Sequence, residues 1–320
     1  MPKKDLLSIA NLEASELAYL INRTIQIAAG QIEGTKPLEN KAVGIYFRKT
    51  STRTRTSFSL GAAKLGAHVI VYGPNDLQTN TGETTEDTAR VLSGYLDALV
   101  LRTAESIEEM KILASQNKMS VINAMSDNEH PTQAIADIAT IKEHFGHLDG
   151  INILYFGEGN STAAGLALAV SKIRGMSLKM FTPEGYGLPT EMLKLSQMFA
   201  VKYSALVEQY HSLDDLPKDV DVVYTTRWQT TGSSKCDPNW AKYFRPFSVT
   251  QKLMMHVSKP SGTVFMHDLP AVRGEDVSSE VLDGHQSIAF HQAHNKLFGA
   301  MAVLEWCILD MKTPQNEDCS

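Results

Sequence analysis

Cysteine is scarce in this chain of 320 residues: Cys236, Cys307 and Cys319 are the whole complement. Three scattered thiols make neither a disulfide framework nor a zinc site, and they fit a reduced compartment. Metal-ligand spacing is missing too. His291 and His294 stand three apart with His285 nearby, but no carboxylate or cysteine sits at useful spacing, so exposed loop histidines are expected. No run approaches about 20 uninterrupted apolar residues, so no membrane-crossing helix is expected. The opening Met1-Pro2-Lys3-Lys4-Asp5 leads into no apolar signal core. Basic residues are in deficit, 30 Lys and Arg against 36 Asp and Glu, for a net charge of -6. That balance disfavours nonspecific binding to nucleic acid or to a membrane surface, yet leaves room for a local cationic site. The expectation is a cytoplasmic protein with no membrane or nucleic-acid partner.

What is present is ordinary globular material, 43% hydrophobic and 21% charged. At about 150 residues per domain, the length predicts two domains. Apolar strands alternate with helical patterns. Strands are expected at 41–47, 98–102 and 120–124, with helices at 53–65 and 132–145. Gly146 to Gly150 reads as a boundary, after which the alternation restarts. Strands follow at 151–156, 178–182, 220–225 and 263–266, with a helix at 163–173 and an apolar closing helix at 297–309. The expected fold is α/β: two doubly wound parallel-sheet domains with an interdomain cleft, and a C-terminal helix packing back on the first domain. The expected limits are 1–146 with helix 294–312 for the first domain and 150–293 for the second.

Ligands of open parallel sheets bind beyond the carboxyl ends of the strands. The polar clusters fall there. Ser51-Thr52-Arg53-Thr54-Arg55 opens a helix after a strand, where free N–H groups, hydroxyls and planar guanidinium forks favour a phosphate. A Ser/Thr cap with solvent-facing arginines would explain one Ser-x-Arg; five polar residues at the junction favour an anion. The cluster lacks Gly-x-x-x-x-Gly-Lys and is no P-loop. His130-Pro131-Thr132-Gln133 supplies a donor for a carbonyl oxygen and an amide partner, or else a plain His-Pro turn. His267-Asp268-Leu269-Pro270 suggests acid–base work, though adjacent residues of an extended segment point to opposite sides. Thr226-Arg227-Trp228-Gln229 offers a carboxylate clamp, or a surface Arg stacked on Trp228. Gly157-Glu158-Gly159-Asn160-Ser161-Thr162 is half a dinucleotide fingerprint without its third glycine. A nicotinamide oxidoreductase would use that turn, but it would leave the 51–55 cluster without a purpose.

Taken together, these residues resemble the aspartate/ornithine carbamoyltransferase family, from about Lys41 to Leu309. Phe47-Arg48-Lys49-Thr50-Ser51-Thr52-Arg53-Thr54-Arg55-Thr56-Ser57-Phe58 is similar to the family's carbamoyl-phosphate signature, and His130-Pro131-Thr132-Gln133 to its second. Gln292-Ala293-His294-Asn295-Lys296-Leu297-Phe298 is similar to the C-terminal motif, nearer its aspartate-type form. The resemblance implies that Ser51, Thr52, Arg53 and Thr54 hold phosphate. It implies that Arg102 bridges phosphate and carbonyl oxygens, that His130 and Gln133 hold the carbamoyl group, and that the backbone at Leu269 receives its amino group. It also implies a homotrimer or a multiple of trimers, with Gln78 in the 78–83 loop reaching a neighbour's site. Arg53, Arg102, His130 and Asp268 become the candidate catalytic set. The partners implied are carbamoyl phosphate and a small amine acceptor, with no metal and no cofactor.

The acceptor motifs are mixed, and the expectation is neither a standard ornithine nor a standard aspartate enzyme. Thr226 stands where ornithine-type members carry an Asp that binds the α-ammonium group, and Thr230-Thr231-Gly232 stands at their Ser-Met-Gly. Asp268 replaces their Cys, and Lys296 their C-terminal Arg. Thr226-Arg227-x-Gln229 matches the aspartate type, whereas Ala271-Val272-Arg273-Gly274 is ornithine-like again. The candidate acceptor residues are Arg227, Gln229, Asn160, Asp268 and Lys296. They point to an acceptor with a carboxylate for Arg227 and Gln229 and a cationic or donor nitrogen for Asp268. Aspartate carbamoyltransferase activity and a non-catalytic binding relative are the alternatives.

Overall fold

Runs of Val, Ile, Leu and aromatic residues, buried on both faces, make the central strands, as a parallel sheet covered by helices requires. The computed structural model describes residues 3–103, 106–229 and 234–309. Thr230-Thr231-Gly232 and the last residues of the expected 294–312 helix lie outside the described residues. The chain divides into two compact units, Met1–Asp127 with Asn295–Ser320, and Asn128–His294.

In the first unit, β1 (Ala42–Phe47), β2 (His68–Tyr72), β3 (Ala98–Arg102) and β4 (Ser120–Asn123) form an all-parallel sheet in the order β2-β1-β3-β4. Its helices are α1 (Ala14–Ala28), α2 (Arg53–Lys64), α3 (Thr85–Leu92) and α4 (Glu108–Ala114). One core cluster packs Tyr46, Leu99 and Val121 of the sheet against Ala89, Leu92, Met110 and Leu113 of α3 and α4.

The second unit opens with α5 (Pro131–Phe145). It is built on β5 (Asn152–Phe156), β6 (Ser177–Phe181), β7 (Leu206–Tyr210), β8 (Val222–Thr225) and β9 (Val264–His267). These are parallel in the order β7-β6-β5-β8-β9. Helices α6 (Ser161–Ser171), α7 (Thr190–Tyr203), α8 (Ala241–Phe244), α9 (Gln251–Val257) and α10 (Ser279–Leu282) connect and cover them. The final helix, α11 (Ala289–Ile308), starts in this unit and ends in the first.

By packing, the compact units divide at 127–128, which groups α5 with the second unit. The reason is a close approach to α6. The His130 N–H donates to the Ser161 carbonyl (2.9 Å), and a Cβ on Gly165 would stand 3.0 Å from the His130 carbonyl oxygen.

The two sheets share a device at their amino ends. Asp97, just before β3, accepts from the Ala42 N–H (2.8 Å) and pairs with Lys41 (3.0 Å). Asp221, just before β8, accepts from the Asn152 N–H (2.9 Å) and pairs with Lys259. Each carboxylate ties the first strand of its sheet to the neighbour beyond the switch in strand order.

Candidate active site

Strand order reverses between β1 and β3 in the first sheet and between β5 and β8 in the second. Such switch points leave a crevice beyond the strand ends, and each carries a candidate cluster.

In the first unit, β1 delivers Ser51 to Arg55 and β3 delivers Arg102. Phe47 and Arg102 are paired in register, and the Arg48 N–H donates to the Arg102 carbonyl (3.0 Å). Arg102 is 8% exposed and Thr54 3%. Thr52 caps α2 without a side-chain cap bond, so its hydroxyl is not spent on the helix's own N–H groups. Arg53 is the first helical residue, where the helix dipole adds positive potential. Two neighbouring arginines are used by the fold. Arg48 bonds Tyr46 Oη (2.9 Å) and pairs with Glu109. Arg55 lies over the Phe47 ring (5.4 Å to its centroid) and donates to the Phe47 carbonyl (3.3 Å). Gln78 starts a short 3₁₀ turn, Gln78–Thr81, is exposed, and accepts from Thr81 Oγ1 (2.6 Å). Lys296 belongs to this unit through α11 and is buried.

In the second unit, His130 caps α5 in a non-helical conformation with Pro131 at the first position. Gln133 follows one turn in and is buried. Asn160 caps α6. Its Oδ1 accepts from the Thr162 and Ala163 N–H groups (3.0 and 3.1 Å), and its Nδ2 donates to Thr226 Oγ1 (3.1 Å). Thr226 is fully buried and is also bonded to Tyr155 Oη (2.9 Å). The Thr226 side chain is thus enclosed and neutral. Arg227 and Gln229 follow it, both partly exposed. Arg227 makes no ion pair among the described residues. Trp228 is no surface platform: it is 3% exposed and packs on Phe244 (5.7 Å between ring centroids).

The His267–Asp268 pair divides its labour. Nδ1 of the fully buried His267 accepts from the Leu269 N–H (2.8 Å), which leaves the ring proton on Nε2, facing Asp276 Oδ1 at 3.4 Å. Through Nδ1, His267 shapes the turn, while its Nε2 makes no hydrogen bond among the described residues. Asp268 is the accessible member, 17% exposed, and accepts from Thr162 Oγ1 (2.9 Å). Leu269 stands at φ 54° before a cis bond to Pro270.

The structure brings Asn160, Asp268 and the segment after β8 together through Thr162 and Thr226, and joins His130 to α6. Three contributors escaped the sequence reading. Thr162 closes the 157–162 motif, and a hydroxyl in the first turn of a helix at a strand end is its signal in the sequence. Glu158 and Lys235 form a close pair, and the Lys235 ammonium lies 5.1, 5.5 and 5.0 Å from the ring centroids of Tyr186, Trp240 and Phe244. Burial pushes the Glu158 carboxyl up and Lys235 opposes that push; nothing in the spacing announced this pair. His291 and His294 lie in α11, not in a loop, because the helix begins eight residues before its apolar stretch at 297. His291 Nε2 sits 2.7 Å from Glu143 Oε2. Among the described residues no group of three His, Cys, Asp or Glu gathers as a metal site, and no helix is long and apolar enough to cross a membrane.

Two parallel-sheet units, each with polar residues at its switch point, one set cationic and one mixed, define a two-unit α/β protein with ligand-binding strand ends. Residues 4–143 match the family model described as "Aspartate/ornithine carbamoyltransferase, carbamoyl-P binding domain", and residues 149–307 match "Aspartate/ornithine carbamoyltransferase, Asp/Orn binding domain". The chain belongs to the aspartate/ornithine carbamoyltransferase family and is a carbamoyltransferase. It is 36% identical over 309 residues to the ornithine carbamoyltransferase of Oceanobacillus iheyensis, covering 96% of this chain and 95% of that one. It is 38% identical over 309 residues to that of Caldicellulosiruptor saccharolyticus, covering 96% and 99%. The solved ornithine carbamoyltransferase of Pyrococcus furiosus superposes with a TM-score of 0.90 at 36% identity, covering 97% of this chain and 99% of that one.

Proposed function

We propose that the chain moves the carbamoyl group of carbamoyl phosphate onto the amine of an amino acid bearing a second nitrogen, with ornithine as the reference acceptor, and releases phosphate. The names of the relatives support ornithine itself. The wider class is carried by one observation: the Asp268 carboxylate is held by Thr162 at the end of β9, where the ornithine-type motif carries a Cys. A carboxylate there suits a cationic or donor nitrogen, and Arg227, which follows the adjacent strand β8, suits a carboxylate.

In the proposed reaction, a neutral amine nitrogen attacks the carbamoyl carbon. The N–C bond forms, the C–O bond to phosphate breaks, and the amine's proton leaves with the phosphate. Ser51, Thr52, Arg53 and Thr54 take the phosphate oxygens. Arg102 and His130 face the oxygens that gain charge, where fixed donors act most strongly. Gln133 and the Leu269 backbone hold the carbamoyl amino group, and Arg227, Gln229, Asn160, Asp268 and Lys296 hold the acceptor. As written, the chemistry uses no metal or organic cofactor. The resemblance further supports a cytoplasmic homotrimer, or a multiple of trimers, with Gln78 reaching a neighbour.

The test is phosphate release from carbamoyl phosphate with ornithine, lysine, shorter diamino acids, aspartate, putrescine and agmatine. Turnover is expected with a diamino acid and not with aspartate. Turnover with aspartate alone would move the assignment to the aspartate type, which Thr226-Arg227-x-Gln229 resembles. Equal turnover with putrescine or agmatine, which lack a carboxylate, would remove Arg227 and Gln229 from the acceptor site.

A further inference from the structure

Asp137 lies fully buried on α5, four residues and therefore one turn after Gln133. Its Oδ1 accepts from Gln133 Nε2 (2.7 Å) and from Gln292 Nε2 (2.7 Å), and its Oδ2 accepts from Tyr224 Oη (2.9 Å). Gln292 Nε2 also reaches Tyr224 Oη (3.1 Å), and Gln292 Oε1 accepts from the His267 N–H (2.9 Å). The three partners belong to three segments that carry candidate residues: α5 itself, β8 leading to Arg227, and, through Gln292, β9 leading to Asp268 and Leu269. Burial, helped by the Asp137 and Asp268 carboxylates, holds the Tyr224 hydroxyl well above the usual phenol range. Tyr224 therefore remains a donor.

Both Asp137 oxygens act as acceptors toward these three partners. Both glutamines must turn their NH2 groups to Asp137, so their carbonyl oxygens face the other way. For Gln292 that oxygen meets the His267 N–H. For Gln133 the outward edge of the amide is an acceptor, the kind of group that a carbamoyl NH2 needs and a carbamoyl C=O does not. We propose that Asp137 is a positioning residue that fixes the Gln133 amide with Oε1 presented to the carbamoyl amino group, and that it sets the β9 turn through Gln292. This rests on the carbamoyl-binding role given to Gln133 above.

The readout is the ratio of affinities for carbamoyl phosphate and inorganic phosphate by calorimetry, which needs no acceptor, alongside kcat for phosphate release. The parent protein is measured first. A parent that prefers carbamoyl phosphate but turns over no acceptor refutes the acceptor reading and leaves the ratio to judge Asp137. Asp137→Ala should lower the ratio and kcat at least tenfold, as misplacement of a positioning group does, and leave inorganic phosphate affinity within about twofold. Asp137→Asn keeps an oxygen for both glutamines and should recover most of the loss. In a Gln133→Met chain, Asp137→Ala should add little. Equal losses with and without Gln133, or an Asn variant no better than Ala, would make Asp137 a structural residue only. If the Ala variant does not fold, an isosteric pair still decides. Gln133→Glu opposes two buried carboxylates and should lose at least tenfold, while Gln133→Glu with Asp137→Asn should regain it. No recovery overturns the proposal.

Discussion

At the scale of single residues, the acceptor end turns on charges that the fold leaves available. Thr226 is enclosed by Tyr155 and Asn160, so it offers an ammonium group no opposing charge. Arg227, next along, makes no ion pair among the described residues and is partly exposed. A charge-assisted hydrogen bond is worth about 1.5–3 kcal/mol, or roughly ten- to a hundredfold. Arg227→Met should therefore lower kcat/KM for a carboxylate-bearing acceptor by about that factor, with the KM for carbamoyl phosphate unchanged. Steady-state kinetics with each substrate varied in turn checks this. An equal fall for both substrates would mean that Arg227 supports the second unit rather than the acceptor. The same residue-scale view explains His267. A His-Asp pair in a sequence invites acid–base chemistry, but a ring nitrogen that accepts from the Leu269 N–H at 2.8 Å is spoken for.

At the scale of elements, the turn between β5 and α6 shows how a motif acquires a meaning different from its first appearance. Gly157 stands at φ 121°, a conformation for which glycine is the natural residue. A Cβ on Gly159 would lie 2.1 Å from the Leu188 nitrogen and 2.2 Å from the Gly187 carbonyl carbon, both backbone atoms that cannot swing aside. The two glycines let the turn pass under the 187–188 segment and place Asn160 as the cap of α6, with no nucleotide required. Gly159→Ala should destabilise by about 1–3 kcal/mol, the usual cost of overpacking, and should raise the acceptor KM by displacing Asn160. Thermal melting and kinetics together check it, and an unshifted melting temperature would refute the close approach. The sequence made the central strands legible because they are buried on both faces: β3 and β5 appear within a residue of their expected limits. It did not make β2 and β7 legible. Both are edge strands; β2 has three exposed residues of five, and β7 mixes Glu208 and Gln209 with apolar neighbours. The clusters were legible as motifs, since each follows a buried strand. Their wiring through Thr162, Tyr224 and Gln292 was not, because those contacts join residues more than 60 positions apart.

At the scale of the whole molecule, the last helix closes the first unit at its other end in sequence. Arg23 of α1 grips Glu305 of α11 through two bonds (2.6 and 3.1 Å), Lys4 lies over the Trp306 ring (5.1 Å to the centroid), and Ser120 of β4 donates to the Cys307 carbonyl (3.0 Å). Helix α11 also leans on α2: a Cβ on Gly61 would stand 2.9 Å from Met301 Cγ. Helix α2 is the one whose first turn carries Arg53 and Thr54. Phosphate held there should therefore steady the helix that carries Cys307. The thiol is a good reporter, since it is 6% exposed and burial pushes it well above its ordinary range, so thiolate is scarce until the unit opens. In a chain carrying Cys236→Ser and Cys319→Ser, Cys307 should react with a thiol reagent only through opening of the unit. Inorganic phosphate at about 100 times its dissociation constant stabilises the bound form by about 2.7 kcal/mol, so it should slow that reaction by up to about a hundredfold. Slowing of that order would show that anion site, α2 and α11 open together. A rate indifferent to phosphate would show that the end of α11 frays by itself, and that the contacts around Glu305 and Cys307 hold the helix without coupling it to the site.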